Sequence, residues 1–110
     1  MIWIVWAMGC LNGVENQTEF TSEYALAQCY AYKQCYRMLF DGKYDGMEDC
    51  ESKVQKNFQA EQQELYEGCT FKAEQAQECI DTINQSSCGE LWDNTDDIYT
   101  ACHDDVWSCP

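Results

Sequence analysis

The residues best suited to chemistry in this sequence are its nine cysteines, which are spread through 110 residues. Such a density is typical of small secreted domains, in which disulfide bonds supplement a limited hydrophobic core. No Cys-X-X-Cys motif is present, so neither a thioredoxin-like redox site nor c-type haem attachment is indicated. We therefore predict structural disulfides formed in an oxidising compartment outside the cytoplasm.

Cys10 differs from the other eight cysteines because it ends an apolar run, and Ala7-Met8-Gly9-Cys10 resembles a bacterial lipobox. In a lipobox, small residues precede the cleavage site and the new N-terminal cysteine carries the acyl chains. Lipidation of Cys10 leaves an even set of eight cysteines for four disulfides. We expect a signal-like apolar segment at 1–9, a tether at 10–17 and a cysteine-rich helical domain at 18–110. The alternative is an ordinary secretory peptide, with Cys10 unpaired or bridging two chains.

Two acidic stretches superficially resemble calcium loops. The first contains Asp41, Asp45 and Gly46, but Lys43 stands at loop position 3, where an EF-hand needs an oxygen ligand, and Ser52 stands at position 12, where it needs a glutamate. The second, from Asp93 to Asp97, lacks the glycine and the terminal glutamate of such a loop. A capped helix start, with Asp93 or Thr95 as the cap, explains the second stretch better.

His103 is the only histidine, and zinc ligation would have to use cysteines that the disulfides require. A catalytic pair of carboxylates among the 20 acidic residues is an open alternative, but no spacing singles one out. We expect no metal site, no cofactor and no catalytic residue, so the chain is predicted not to be an enzyme.

The charge of the chain is strongly negative, with a formal net charge of -14. Residues 58–110 hold 12 acids and a single base, Lys72. Nucleic-acid binding requires clustered lysine and arginine, so we expect no nucleic-acid partner. The aromatic content of 14% and the hydrophobic content of 45% indicate a packed core rather than a disordered acidic chain.

Apolar residues recur at helical spacing, which predicts an all-α bundle of three main helices and a short helical C-terminal strap. The central helix is predicted from Thr18 to Phe40, with two apolar stripes and therefore neighbours on two sides. A second helix is predicted over about 46–67, opened by an Asp45 and Glu48 capping pair, and a third over about 71–84. No strand-like alternation is present. The stripes of the central helix comprise Phe20, Tyr24, Ala27, Ala31, Cys35 and Met38, and Ala25, Cys29, Tyr32, Tyr36 and Leu39.

Antiparallel packing of these helices suggests which cysteines lie at the same height. A first turn centred near residue 43 makes a Cys35–Cys50 disulfide feasible, and a second turn near residue 69 makes Cys29–Cys79 feasible. The pairing of Cys69, Cys88, Cys102 and Cys109 stays open, although we favour Cys69 and Cys88 each holding one end of the strap.

Four tyrosines of the central helix could contribute to a ligand groove, but core packing with hydroxyls reaching water is the more common role of such residues. They are Tyr24, Tyr30, Tyr32 and Tyr36.

The order of segments after Cys10 resembles that of small cysteine-rich lipoproteins of myxobacteria and related bacteria. The resemblance covers roughly residues 20–107 and rests on AQCYAYKQC, Cys50, FKAEQAQECI, SSCGEL and TACHDDVW. It implies a cysteine-stapled helical domain on a lipid anchor, and it carries over no catalytic residues.

These observations predict an acidic binding or structural lipoprotein in the bacterial cell envelope, anchored in the bilayer and facing an outer surface or the periplasm. Its partner is expected to be a protein or another envelope component. The alternative is a soluble secreted effector or enzyme inhibitor of the same fold, in which Cys10 is not lipidated.

Overall fold

The computed structural model describes residues 14–110, and the segment 1–13, including Cys10, lies outside the described residues. Six α-helices, one 3₁₀ helix and two short strands form this part of the chain. They are α1 (Gln17–Cys35), α2 (Arg37–Lys43), α3 (Met47–Leu65), β1 (Thr70–Phe71), α4 (Ala73–Gln85), α5 (Cys88–Asp93), α6 (Thr95–Cys102), the 3₁₀ helix (Asp104–Val106) and β2 (Trp107–Ser108). The predicted all-α, disulfide-stapled class is confirmed.

The central helix α1 packs against α3 on one side and α4 on the other, as its two apolar stripes predict. The Asn16 side chain caps its first turn by accepting a hydrogen bond of 2.9 Å from the backbone N–H of Glu19. Buried Phe20, Ala27 and Cys29 fix the two packed faces.

The predicted single helix from Thr18 to Phe40 is wrong, because the helix breaks at Tyr36, whose φ of -137° and ψ of 56° are not helical. After the break, α2 turns Phe40 inward against the Cys29–Cys50 disulfide. Met38 and Leu39 consequently leave the stripes and become 88% and 61% exposed.

The outer helix α3 begins after Gly46, whose φ of 146° favours glycine. The predicted capping pair is wrong: the backbone N–H of Asp45 donates to the Asp49 carboxylate, and no side chain caps the helix. Cys50 and Phe58 of this helix are buried. Near the C-terminal end, however, Gln62 is buried whereas Leu65 is exposed.

A small antiparallel ladder joins β1 to β2, pairing Thr70 with Ser108 and Phe71 with Trp107. The sequence did not predict these strands, because two residues are too few to show alternation. The chain reaches β1 through a turn at Gly68, whose φ is 80°.

The C-terminal strap consists of α5, α6 and the 3₁₀ helix. Of these, α6 and the 3₁₀ helix pack on α4, whereas α5 contacts α1 and α6. A capping box begins α5: the Ser87 hydroxyl accepts from the N–H of Glu90, and the Glu90 carboxylate accepts from the N–H of Ser87. The predicted cap by Asp93 or Thr95 is wrong, because α6 follows Asn94 without a side-chain cap and the Thr95 hydroxyl donates to carbonyls of α5.

All eight cysteines within residues 14–110 form disulfides. The pairs are Cys29–Cys50, Cys35–Cys88, Cys69–Cys109 and Cys79–Cys102. The predicted Cys35–Cys50 and Cys29–Cys79 pairs are therefore wrong, and Cys88 is joined to α1 rather than to another part of the strap. Cys69 does hold the far end of the strap, through Cys109.

Two assumptions explain the wrong pairs. The predicted heights of the cysteines assume one continuous helix over 18–40. In the structure, residues 36–46 connect α1 to α3, and Cys50 therefore lies level with Cys29. Height alone also ignores the direction of a side chain around the helix axis, and successive residues differ by about 100°. Cys29 faces α3, which leaves Cys79 to pair with α6.

The folded part extends to the N-terminal side of residue 18. Val14 is buried, and its N–H donates to the Gln77 side chain at 3.0 Å. Residues 14–17 of the expected tether therefore belong to the domain. None of the helices in the described range is long and apolar enough to cross a membrane.

Candidate functional site: a tyrosine-lined groove

A row of large side chains along α1 forms the floor of an open aromatic surface. Tyr24, Gln28 and Tyr32 follow one another at intervals of four residues, which places them on one face of α1, and Tyr36 lies directly after the C-terminal end of the helix. The walls are α3 on one side and the α5–α6 pair on the other. We call this surface the tyrosine groove.

The groove consists of two hollows that meet at Gln28 and Tyr32, which contribute to both. The hollow on the α3 side has a volume of about 340 Å³ and is lined by Tyr24, Gln28, Tyr32, Lys43, Tyr44, Cys50, Val54, Asn57, Phe58 and Glu61. The hollow on the α5–α6 side has a volume of about 220 Å³ and is lined by Gln28, Ala31, Tyr32, Tyr36, Leu91, Trp92, Thr95 and Ile98.

Aromatic packing holds the groove in shape. The ring of Tyr24 stacks on Phe58 with centroids 3.8 Å apart, and Tyr32 meets the edge of Tyr44 at 6.2 Å. In the second hollow, Tyr36 and Trp92 lie 6.2 Å apart. The Cys35–Cys88 disulfide fixes the start of α5 to the end of α1, which brings Trp92 to this position one helical turn later.

Glu61 lies at one end of the α3-side hollow and is oriented by His103. The Nε2 atom of His103 is 2.6 Å from Glu61 Oε1, and its Nδ1 atom is 3.0 Å from the backbone oxygen of Tyr99. Both ring nitrogens thus face oxygen atoms, so the His103 ring is held by contacts on two sides. The His103 ring also stacks on Tyr99 at 3.9 Å.

The His103 side chain is only 5% exposed, whereas that of Glu61 is 44% exposed. The imidazole is therefore a buried support, and the carboxylate is the group that a ligand can reach. Burial, and then the charge of Glu61, raise the pKa of Tyr24 to about 12. Tyr24 accordingly remains a neutral hydrogen-bond donor at physiological pH.

Two lysines lie at the opposite end of the same hollow. The ammonium groups of Lys43 and Lys53 lie 5.5 and 5.8 Å from the centroid of the Tyr44 ring. Lys53 and Glu61 are eight residues apart on α3, which corresponds to about 12 Å along the helix axis. The exposed amide side chains of Gln28 and Asn57 lie between them and offer both donors and acceptors.

The structure brings together some of the residues considered from sequence and separates others. Tyr24, Tyr32 and Tyr36 line the groove, whereas Tyr30 lines a different hollow with Leu26 and Ile80. Residues 93–97, considered from sequence as a calcium loop, form the junction between α5 and α6. The lipidation prediction at Cys10 lies outside the described residues.

Sequence reasoning missed Glu61, Asn57 and Trp92 as groove residues. Because the two helices were predicted to be antiparallel neighbours, the sequence was sufficient to place Glu61 at about the height of Tyr24. The position of Trp92 depends on the Cys35–Cys88 disulfide, which no pattern in the sequence indicates.

Fold and groove together define a small, disulfide-stapled helical domain with an open aromatic surface. The chain belongs to a family of unknown function, DUF6184, whose model matches residues 29–109. That match begins at the first disulfide cysteine and ends at the last, and it does not include Cys10. The searches found no match among curated proteins and none among solved structures.

Proposed function

We propose that this protein is a non-catalytic binding or structural lipoprotein of the bacterial cell envelope, which engages a protein or another envelope component through the tyrosine groove. The observation that carries the proposal is the groove itself: half-buried tyrosines and exposed amide groups are held rigidly between disulfide-linked helices. Concave aromatic surfaces with a few convergent polar groups are the usual form of binding sites.

The anchor in this proposal is acylated Cys10, for which the Ala7-Met8-Gly9-Cys10 motif is the support. Val14 is already packed in the core, so only residues 11–13 separate the acylated residue from the domain. Four extended residue steps span at most about 14 Å. An anchored domain would therefore lie against the bilayer surface rather than extend far from it. Four disulfides are compatible with such an extracytoplasmic location.

The absence of catalysis in this proposal rests on the arrangement of His103. Its two ring nitrogens are bonded internally, and the ring is buried, so it has no free nitrogen to activate a nucleophile in the groove. The net charge of -14 is the reason to propose no nucleic-acid partner.

Mass spectrometry of the mature protein tests the anchor. A diacylated or triacylated N-terminal cysteine at position 10, recovered in the membrane fraction, is the expected result. An unmodified chain recovered outside the cells would instead support the second candidate, a secreted effector or enzyme inhibitor with free Cys10. That candidate keeps the same groove and loses only the attachment.

Photo-crosslinking in the source cells tests the groove. We place p-benzoylphenylalanine at Tyr36, where one aromatic side chain replaces another, and at exposed Ser52 on α3 as the matched control. A discrete adduct from position 36 and none from position 52 is expected. Equal adducts from both positions, or none from position 36, would contradict a binding role for the groove.

A further inference from the structure

Given the binding role proposed for the tyrosine groove, the charges around it indicate a class of ligand. The negative charge of the molecule is unevenly distributed. Residues 33–56, which form the Lys43 end of the groove, contain five acids and five bases, whereas the remaining residues contain 15 of the 20 acids and only Lys72. The Glu61 end therefore lies in the strongly acidic part of the molecule. Such a field attracts cations and raises their association rate.

The chemistry of that end also suits a cation. The Glu61 carboxylate offers its second oxygen to the groove, since Oε1 is bonded to His103. Tyr24 and Tyr32 line the adjacent floor, and tyrosine faces attract ammonium and guanidinium groups. Carboxylate and aromatic faces together hold a cationic side chain by charge on one side and by stacking on the other.

Lysines of the chain itself already occupy the other end. Lys43 and Lys53 place their ammonium groups beside the Tyr44 ring, and Lys53 is also paired with Asp49 at 3.1 Å, so the aromatic ring and a carboxylate at this end already have cationic partners. A ligand with a basic group is thus drawn to Glu61 and kept away from Lys43. The groove consequently discriminates between two orientations of an extended ligand.

We propose that the tyrosine groove binds an extended peptide segment of a partner protein, with an arginine side chain lying on Tyr24 and Tyr32 and its guanidinium paired with Glu61. Arginine suits this position better than lysine, because its planar guanidinium can stack on an aromatic ring while it donates to the Glu61 oxygen that is not bonded to His103. The amide groups of Gln28 and Asn57 are then placed to bond the peptide backbone.

The test uses the disulfide-bonded full chain and two synthetic peptides, Ac-GSGRGSG-NH2 and the same peptide with citrulline in place of arginine. Citrulline keeps the shape of the side chain and removes its charge. Titrations followed by ¹H–¹⁵N NMR should show the arginine peptide shifting the amide signals of Tyr24, Gln28, Tyr32 and Glu61. The citrulline peptide should bind at least five-fold more weakly.

Two variants separate recognition from the general attraction of an acidic protein for cations. Glu61→Gln removes the charge and keeps an oxygen that accepts from His103, so the fold is retained. Glu64→Gln removes the same charge from an exposed position of α3 outside the groove. We expect at least a five-fold loss of affinity in the first variant and less than two-fold in the second. Equal losses, shifts confined to other acidic surfaces, or equal binding of citrulline would overturn the proposal.

Failure here is distinguishable from failure of the proposed function. If the arginine peptide does not bind but position 36 still crosslinks a partner, the groove is a binding site that recognises different chemistry. If both experiments fail, neither proposal stands.

Discussion

Tyr24 is the residue of the groove whose protonation is most strongly set by the fold. Its pKa is raised to about 12, first by burial and second by Glu61. An unfolded tyrosine ionises near pH 10, so Tyr24 contributes stability that is fully present below about pH 10 and is lost as the pH rises to about 12. In Glu61→Gln this pKa should fall yet stay above 10, because burial is the larger cause. A ¹³C NMR titration of the tyrosine Cζ signals measures it. The Glu64→Gln control should leave the pKa unchanged, and an equal fall in both variants would contradict the assignment.

Gln62 and Trp107 form a buried hydrogen-bonded pair that is only half satisfied. The indole N–H of Trp107 donates to Gln62 Oε1, while Gln62 Nε2 has no partner within residues 14–110. Trp107→Phe would leave both polar atoms of Gln62 unpaired, whereas Gln62→Met removes them. We therefore expect Trp107→Phe to cost about 1 kcal/mol less in the Gln62→Met background than in the native chain. Urea denaturation of the four proteins in this double-mutant cycle measures the coupling.

Tyr66→Phe supplies the control for that cycle. Tyr66 stacks on Trp107, and its hydroxyl donates to Asp104 at the surface rather than to Gln62. The loss of unfolding free energy caused by Tyr66→Phe should therefore add to the loss caused by Gln62→Met. Additive costs for Trp107→Phe and Gln62→Met would show that the indole hydrogen bond carries no net free energy.

Among the elements, α5 depends most on its first residues, because it has six residues and none of them is buried. Its capping box satisfies two backbone groups that would otherwise be unpaired. Ser87→Ala should lower the free energy of unfolding by about 1 kcal/mol and speed amide exchange at Glu90. Asn94→Ala is the matched control, because Asn94 precedes α6 without a side-chain cap. A cost for Asn94→Ala as large as that for Ser87→Ala would contradict this explanation.

The elements show which parts of the fold a sequence can predict. The extents of α3 and α4 were predicted to within about two residues, since sustained apolar periodicity specifies a buried face. The break at Tyr36 was not predicted, because apolar residues continue at helical spacing through Met38 and Leu39. In the structure both of these residues are exposed. The caps of α3 and α6 were also misjudged. A polar residue before a helix is only a candidate cap until the backbone directs its side chain to a free N–H.

For the whole molecule, composition predicted the class of domain, whereas the disulfide pairs and the tyrosine groove could be identified only from the three-dimensional structure. Nine cysteines and the net charge were sufficient to predict a disulfide-stapled acidic domain. The disulfide pairs depend on the angular positions of the cysteines around each helix. An error of one residue in the predicted helical register shifts such a position by about 100°. The groove depends on those pairs in turn, because the Cys35–Cys88 disulfide brings Trp92 to α1. The sequence indicated Tyr24, Tyr32 and Tyr36 as candidate groove residues, but it did not indicate the residues of α3, α5 and α6 that form the walls of the groove.

The disulfides should differ in what they contribute to the stability of the whole molecule. Cys35–Cys88 closes 53 residues and Cys29–Cys50 only 21, so loop entropy alone predicts costs of about 4 and about 3 kcal/mol on removal. Burial acts in the opposite direction. Cys29 and Cys50 are 0% and 1% exposed within the core around Phe40, so truncating them adds a cavity cost.

We therefore expect Cys29→Ala with Cys50→Ala to lower the free energy of unfolding more than Cys35→Ala with Cys88→Ala, although its loop is shorter. Urea denaturation measures both, after mass spectrometry has verified that the other three disulfides remain. The second double variant should also disturb the NMR signals of Trp92 and Tyr36, because it releases α5 from α1. If it is instead the less stable of the two, loop entropy outweighs burial, and these disulfides stabilise the domain mainly through the unfolded chain.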